Sequence, residues 1–406
     1  MASEWREITL GDFVALQRGH DLTEPERRLG HVPVIGSAGQ NGFHDTALAN
    51  GPGIVIGRSG ASFGQVHFCA TDYWPHNTGL YVTDFKGNDP RFAYYFLKAL
   101  DFDRYNSGSA QPSLNRNFIY PIPICVPKPD EQKAIAHILG TLDDKIELNR
   151  RMNATLEAMA RALFQSWFVD FDPVRAKLDG RQPAGLDAET AALFPDHFQD
   201  SPLGHIPQGW TIEPVGDVVD CVGGATPSTT EPKFWEGGTH HWTTPKDFSS
   251  LQAPILIDTN RKITDAGVAK ISSGLLPAGT LLLSSRAPVG YLAIAAMPVA
   301  INQGFIAIKC NERASNFFML NWCQTNMAEI ESRATGTTFA EISKQNFRPI
   351  LAVLPPKELM ATFTEKVSPL YAEISANIYQ SRTLAILRDA LLPRLLSGEL
   401  NLATEH

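Results

Sequence analysis

The sequence predicts an α+β fold made by internal duplication: two similar α/β globular domains and two long antiparallel coiled-coil helices, related by a pseudo-twofold. Three observations carry this prediction. A helical stretch recurs without a gap 228 residues on, with Ile146, Asn149, Thr155, Leu156, Ala162 and Leu163 returning as Ile374, Asn377, Thr383, Leu384, Ala390 and Leu391. Shorter matches run colinearly before it: Trp5 with Gly11 and Asp12 returns as Trp210 with Gly216 and Asp217, Asn117-Phe118 as Asn346-Phe347, and Val126-Pro127 as Leu354-Pro355. Each copy also keeps one order, a strand-rich unit, a Pro-rich exit and a long helix. Self-similarity at a fixed period marks a repeated structural unit.

The first globular domain is placed at 1–128. Its apolar runs Val32-Pro33-Val34-Ile35, Gly53-Ile54-Val55-Ile56 and Gly79-Leu80-Tyr81-Val82 are separated by Gly, Asn, Asp and Pro clusters, which reads as strands joined by turns. A short helix follows over Arg91 to Leu100. The second domain, 205–356, repeats this with strands at Gly279 to Leu283, Tyr291 to Ala296 and Gly304 to Lys309 and a helix near Asn316 to Met327. Val55-Ile56-Gly57-Arg58 aligns with Leu283-Ser284-Ser285-Arg286, which makes Arg58 and Arg286 equivalent and implies about 23 residues inserted in the second copy.

The long helices are assigned to 129–170 and 357–398. In the first, Ile135, Leu142, Asn149, Leu156 and Leu163 fall at heptad position a and Ile138, Lys145, Met152, Met159 and Ser166 at d; Phe363, Leu370, Asn377, Leu384 and Leu391 take a in the second. Each helix carries one Asn at heptad position a, near its midpoint. In an antiparallel pair Asn149 and Asn377 face each other, and a buried polar pair fixes helix register at some cost in stability. Residues 171–204 are rich in Pro, Asp, Ala and Gly and read as an extended connector back along the helix; 399–406 are a C-terminal tail.

Composition narrows the function. With 406 residues and 43% apolar content the chain supports two or more cored domains. No run approaches the ~20 apolar residues of a membrane span, and Met-Ala-Ser-Glu-Trp-Arg lacks a basic-then-apolar leader, so a cytoplasmic location without membrane association is expected. Cys69, Cys125, Cys221, Cys310 and Cys323 are widely spaced with no Cys-x-x-Cys pair, the pattern of reduced thiols. Net charge is −8, yet 1–128 holds 11 Lys and Arg against 12 Asp and Glu, and 201–356 again 11 against 12. Near-neutral domains that bind nucleic acid need a partner to supply most phosphate neutralisation.

Catalytic signatures are missing. There is no Gly-x-x-x-x-Gly-Lys-Ser/Thr phosphate loop, no Asn/Asp-Pro-Pro-Tyr/Phe tetrad for amino methylation, no Gly-x-Ser-x-Gly elbow and no His-Glu-x-x-His helix. His240-His241 has no Cys or carboxylate at ligand spacing, so no metal site is assigned. The chain reads as non-catalytic by itself and binds no cofactor directly. A duplicated β-rich module for carbohydrate or protein would explain the strands, but it has no use for two internal coiled-coil helices.

The repeated plan, together with Ser166-Trp167-Phe168-Val169-Asp170-Phe171-Asp172-Pro173-Val174, Leu203-Gly204-His205-Ile206-Pro207-Gln208-Gly209-Trp210 and Leu391-Leu392-Pro393-Arg394-Leu395-Leu396-Ser397-Gly398, resembles the specificity (S) subunit of type I restriction-modification systems over the whole chain. The resemblance implies a DNA reader in which each globular unit is a target recognition domain for one half of a split double-stranded DNA sequence. It further implies that the helices space the domains and dock two methyltransferase (M) subunits, with restriction/motor (R) subunits joining them. S-adenosylmethionine, ATP and Mg would belong to those partners.

Base reading needs donor and acceptor side chains on groove-entering loops, Arg or Lys toward guanine and Asn or Gln toward adenine. The candidates in the first domain are Gln40, Asn41, His44, Arg58, Ser59, Ser109 and Gln111. In the second they are Thr226, Ser228, Thr243, Thr244, Lys246, Arg286, Thr337 and Thr338. Asn77 and Asn302, each before small residues, read as turn caps.

Overall fold

The computed structural model describes residues 5–108, 112–336 and 340–400. Two compact units emerge, one of 1–146 with 382–406 and the other of 147–381, so the long helices Pro129–Phe168 and Lys357–Leu396 each contribute to both.

In the first unit Arg6–Thr9 pairs antiparallel with Pro123–Val126, closing the domain where the chain enters and leaves it. Between these lies an antiparallel four-stranded sheet in the spatial order Ala15–Arg18, Gly79–Asp84, Gly53–Gly57, Val66–Cys69. A three-stranded sheet places Val32–Gly36 between Gly39–His44 and the parallel Trp74–Pro75. The helix Pro90–Ala99 begins where the Asp89 carboxylate accepts from the Arg91 and Phe92 amides, satisfying donors that the first helical turn leaves without partners. Phe92 and Phe96 pack on Phe13, and Ile135, Ala136 and Leu139 of the first long helix join Leu395 of the second in the same core.

The second unit repeats this plan strand for strand. Thr211–Pro214 pairs with Leu351–Leu354, and the main sheet runs Asp220–Gly223, Phe305–Lys309, Leu281–Ser285, Val289–Ala295. The inserted residues add one strand, Ile255–Leu256, parallel to Val289–Ala295 at the sheet edge. A three-stranded sheet of Arg261–Ile263, His240–Thr243 and Val299–Ile301 matches its counterpart in the first unit.

The ladders also correct the sequence alignment. Gly57 pairs with Gly79 where Ser284 pairs with Phe305. The Arg58 amide donates to Thr78 O at 2.9 Å and the Ser285 amide to Gly304 O at 2.8 Å, while Leu114 N donates to Arg58 O and Ile342 N to Ser285 O. Arg58 is therefore equivalent to Ser285, and Arg286 to Ser59. Because successive strand residues face opposite sides, this slip of one residue sends the two arginines in different directions.

Two further expectations change. The segment after the first long helix is not an extended connector: it forms the helices Asp172–Leu178 and Ala188–Ala192 and short strands at Phe198–Gln199 and Ile206–Pro207. Phe171, Val174 and Phe194 enter the core of the second unit, with Phe171 held in the left-handed region at φ 55° against Trp210, ring centroids 5.6 Å apart. Apolar side chains that can reach a core bury there despite the Pro-rich composition around them. The helix seam differs as well, since Met159 at d is 53% exposed while Leu139, Asn153, Ala160 and Trp167 are buried. A straight helix drifts ~20° per heptad, and each helix buries against a globular unit as well as its partner, which widens the covered face from a/d to a/e.

No helix among the described residues is long and apolar enough to cross a membrane. The five cysteines are free, and burial pushes the Cys69 thiol up to about 12 and that of Cys221 to about 11.

Candidate nucleic-acid interface

In the first domain the ends of Ala15–Arg18 and Gly53–Gly57 and the loop before the short helix Arg116–Ile119 form an open cleft of about 670 Å³. Arg58 lines it together with Arg18, His20, Asp21 and Arg116. Arg58 is half-buried, and its Nη1 donates to Asn77 O at 3.5 Å. Arg116 is anchored by Nη1 donating to Leu16 O at 2.8 Å, and Arg18 lies 3.6 Å from Asp21. Ser59 sits beside Arg58 in a backbone bridge to Ser113.

Gln40 and Asn41 are exposed on Gly39–His44, away from the Arg58 cleft lining, and the Asn41 carbonyl accepts from Arg27 Nη1 at 2.7 Å. His44 does not share their exposure. It is 3% exposed, its Nδ1 accepts from the Arg28 amide at 3.1 Å, and its ring stands edge-on to Trp74 at 5.0 Å. It is a structural residue of the hairpin, because reaching a base would leave those contacts broken. Beside it the Arg28 guanidinium, hydrogen-bonded to Asp45, holds that carboxyl down to about 2.

In the second domain Thr244, Lys246 and Arg286 come together in a cleft with Tyr291 and Asn302. Arg286 there is held 3.4 Å from Glu341, so part of its charge is neutralised within the domain. Thr244 closes a capping box with Asp247, whose Oδ2 accepts from the Thr244 amide at 2.8 Å and its hydroxyl at 3.0 Å. Thr243 is fully buried with its hydroxyl turned to Asp247 at 3.3 Å, which removes it as a base-reading group. Thr226 and Ser228 are exposed elsewhere, bonded to Gln303 at 2.6 Å and Thr230 at 2.9 Å. Ser109, Gln111, Thr337 and Thr338 lie outside the described residues.

Sequence reasoning missed Arg18, His20 and Arg116 in the first domain and Tyr291 in the second. Strand pairing brings the first three to Arg58 from 38 or more positions away in sequence, and for Arg18 the readable signal would have been a charge present in one copy and absent in the other, where Gly223 stands. Asn302 does cap its turn, Oδ1 accepting from the Gly304 amide at 2.9 Å, while also lining the cleft of Arg286.

On the helices Asn149 is fully buried and Asn377 is 4% exposed. Asn149 Nδ2 donates to Gln380 Oε1 at 2.8 Å, Ser381 Oγ at 3.2 Å and the Asn377 backbone carbonyl at 3.4 Å. The amide-to-amide bond runs instead from Asn377 Nδ2 to Asn153 Oδ1 at 3.0 Å. Toward the end of the first helix Phe164, Trp167 and Phe168 pack on Phe363 near the start of the second, so the two run antiparallel.

A family model for the type I restriction modification DNA specificity domain matches residues 2–158 and 207–381. The type I restriction enzyme HindI specificity subunit of Haemophilus influenzae is 28% identical over 358 residues, covering 77% of each chain. The MjaIX specificity subunit of Methanocaldococcus jannaschii is 33% identical over 163 residues, 40% of this chain and 38% of that one. In fold the chain resembles the crystal structure of the type I restriction-modification system S subunit from M. genitalium, with a TM-score of 0.57 and 17% identity over 97% of this chain and 96% of that one. A carbohydrate- or protein-binding module is thereby disfavoured. With two matched segments that take in both globular domains and most of both long helices, the chain belongs to the family of type I restriction-modification DNA specificity subunits.

Proposed function

We propose that each globular domain reads one half of a bipartite double-stranded DNA target and that the paired helices set the gap between the halves. The observation that carries this reading is the duplication itself: one sheet order built twice, with different side chains at equivalent positions, Arg18 and Arg58 in the first copy where the second has Gly223 and Ser285. Equal scaffolds with unequal linings are what two different half-sites require. A 40-residue helix rises about 60 Å, enough to straddle half-sites about one DNA turn, or ~34 Å, apart.

The chain performs no chemistry alone in this reading. Leu148, Met159, Ile386 and Leu387 stand exposed on the long helices, apolar side chains suited to docking two methyltransferase subunits. Those subunits would use S-adenosylmethionine, and restriction subunits would use ATP and Mg, in the cytoplasm. Adenine methylation mapped across the genome, with and without this gene, tests the proposal. Two short motifs split by a fixed gap, lost with the gene, are expected; a methylation pattern indifferent to the gene would overturn it.

A further inference from the structure

The first domain's cleft carries charge that its scaffold does not need. Three arginines, Arg18, Arg58 and Arg116, line it beside Asp21, the one carboxylate among the described lining residues, which also accepts from Asn77 Nδ2. The ladders give each a counterpart in the second copy. Arg18 pairs with Leu80 where Gly223 pairs with Ile306. Arg58 corresponds to Ser285, as above, and Arg116, first residue of its short helix, corresponds to Lys344, first residue of Lys344–Phe347, the caps Asn115 and Ser343 shifting this helix by one residue from the sequence match of Asn117 with Asn346. The neighbouring contact is repeated too: Tyr120 donates its hydroxyl to Leu16 O at 3.0 Å, and Arg348 Nη2 donates to Cys221 O at 2.6 Å. One sheet therefore closes with Arg18 and Arg58 and closes equally with Gly223 and Ser285.

Folding does not explain those two arginines, and the difference between copies separates two kinds of DNA contact. Phosphates are common to every duplex, so a contact to them can be kept in both domains; base edges differ between half-sites, so their readers must differ. The cation at Arg116 and Lys344 is kept, whereas those at Arg18 and Arg58 are confined to one copy. Arg58 is also partly pre-positioned. It is half-buried and tethered through Nη1 to Asn77 O, one of the five donors of a planar fork that suits guanine O6 and N7.

Resting on the bipartite-reader proposal, we infer that Arg58, assisted by Arg18 in the same cleft, reads a guanine in the half-site of the first domain, and that Arg116 and Lys344 are phosphate contacts, one in each domain.

The test uses the full chain in complex with its methyltransferase subunits. Methylated adenines are mapped for wild type, Arg58→Ala, Arg58→Gln and Arg116→Ala, and binding is measured against duplexes of the mapped motif and its single-base variants across a salt series. Both Arg58 variants should lose a G·C requirement at one position of one half-site, with discrimination there falling about tenfold to a hundredfold, while the other half-site stays intact and reports a folded complex. Arg116→Ala should weaken binding to all duplexes alike and lower the salt slope by about one with the motif unchanged. An unaltered motif in an assembled Arg58→Ala or Arg58→Gln complex overturns the inference, whether the salt slope falls or not, and leaves the bipartite reader standing. A wild-type complex with no split motif fails the underlying reading instead.

Discussion

Asn377 donates its side-chain amide to Asn153 across the two long helices at 3.0 Å, with both residues buried. The bond works with that from Asn149 to Gln380 to form a polar layer between the two helices. Sliding one helix against the other would bury these groups without partners, so the layer favours one register.

Truncating Asn377 to Ala should therefore cost about 1–3 kcal/mol, the penalty of leaving the Asn153 amide oxygen buried without a donor. Replacing Asn153 and Asn377 together with Leu should recover much of that loss, because an apolar pair needs no partners. Chemical denaturation of the single and double variants measures both; additive losses would show that the two amides are not coupled.

Arg388 on the second long helix meets Asp143 on the first at 2.6 Å, and the Tyr95 hydroxyl donates to the other carboxylate oxygen at 2.6 Å. Burial, followed by the hydrogen bond to Asp143 and then that carboxylate's charge, pushes the Tyr95 phenol well above its ordinary range. Both members of the ion pair are mostly shielded, with side-chain exposures of 17% and 22%. Arg388→Ala should destabilise the first unit by about 2 kcal/mol, as expected when a charged hydrogen bond is broken. A double-mutant cycle with Asp143→Ala should retain most of its coupling at high salt, since screening acts weakly on shielded pairs; coupling that vanishes with salt would argue for a surface pair.

The spacing proposal predicts the effect of longer helices. Seven residues inserted into each long helix at matched depth, beside Asn153 and Asn377, add about 10.5 Å at 1.5 Å per residue. That corresponds to about three base pairs of duplex at 3.4 Å each. The mapped motif should keep both half-sites and gain about three base pairs of gap; altered half-sites would refute the ruler.

His76 gives the first domain a pH dependence. Burial lowers its imidazole below the usual value of 6.5, and its Nδ1 lies 3.1 Å from the Thr78 hydroxyl. Between the folded and unfolded values the unfolded chain binds more protons. The stabilisation from this group is thus present above about pH 6.5 and lost as pH falls through the lower folded value. Melting temperatures at pH 7.5 and 5.0 should differ less in His76→Gln than in wild type.

The duplication was legible because the chain repeats its own chemistry. The strand-edge motifs around Trp5 and Trp210 and the helix pairs such as Asn149 and Asn377 recur at fixed offsets, and the antiparallel ribbons confirm those offsets, with Thr9 opposite Pro123 where Pro214 is opposite Leu351. The site was less legible. Arg58 and Arg286 share a letter at an offset of 228, but hydrogen bonding equates Arg58 with Ser285. His44 and Thr243 have groove-reading chemistry as letters, yet packing consumes both.

Sequence alone determined the fold class, the two copies, the long helices and the absence of recognisable catalytic motifs, because these depend on local periodicity and on comparing the chain with itself. Tertiary structure decided which helix face is buried, how the connector folds and which side chains share a cleft. These depend on strand register and on competition for the core, where a shift of one residue reverses the facing of a strand and no local pattern records the outcome.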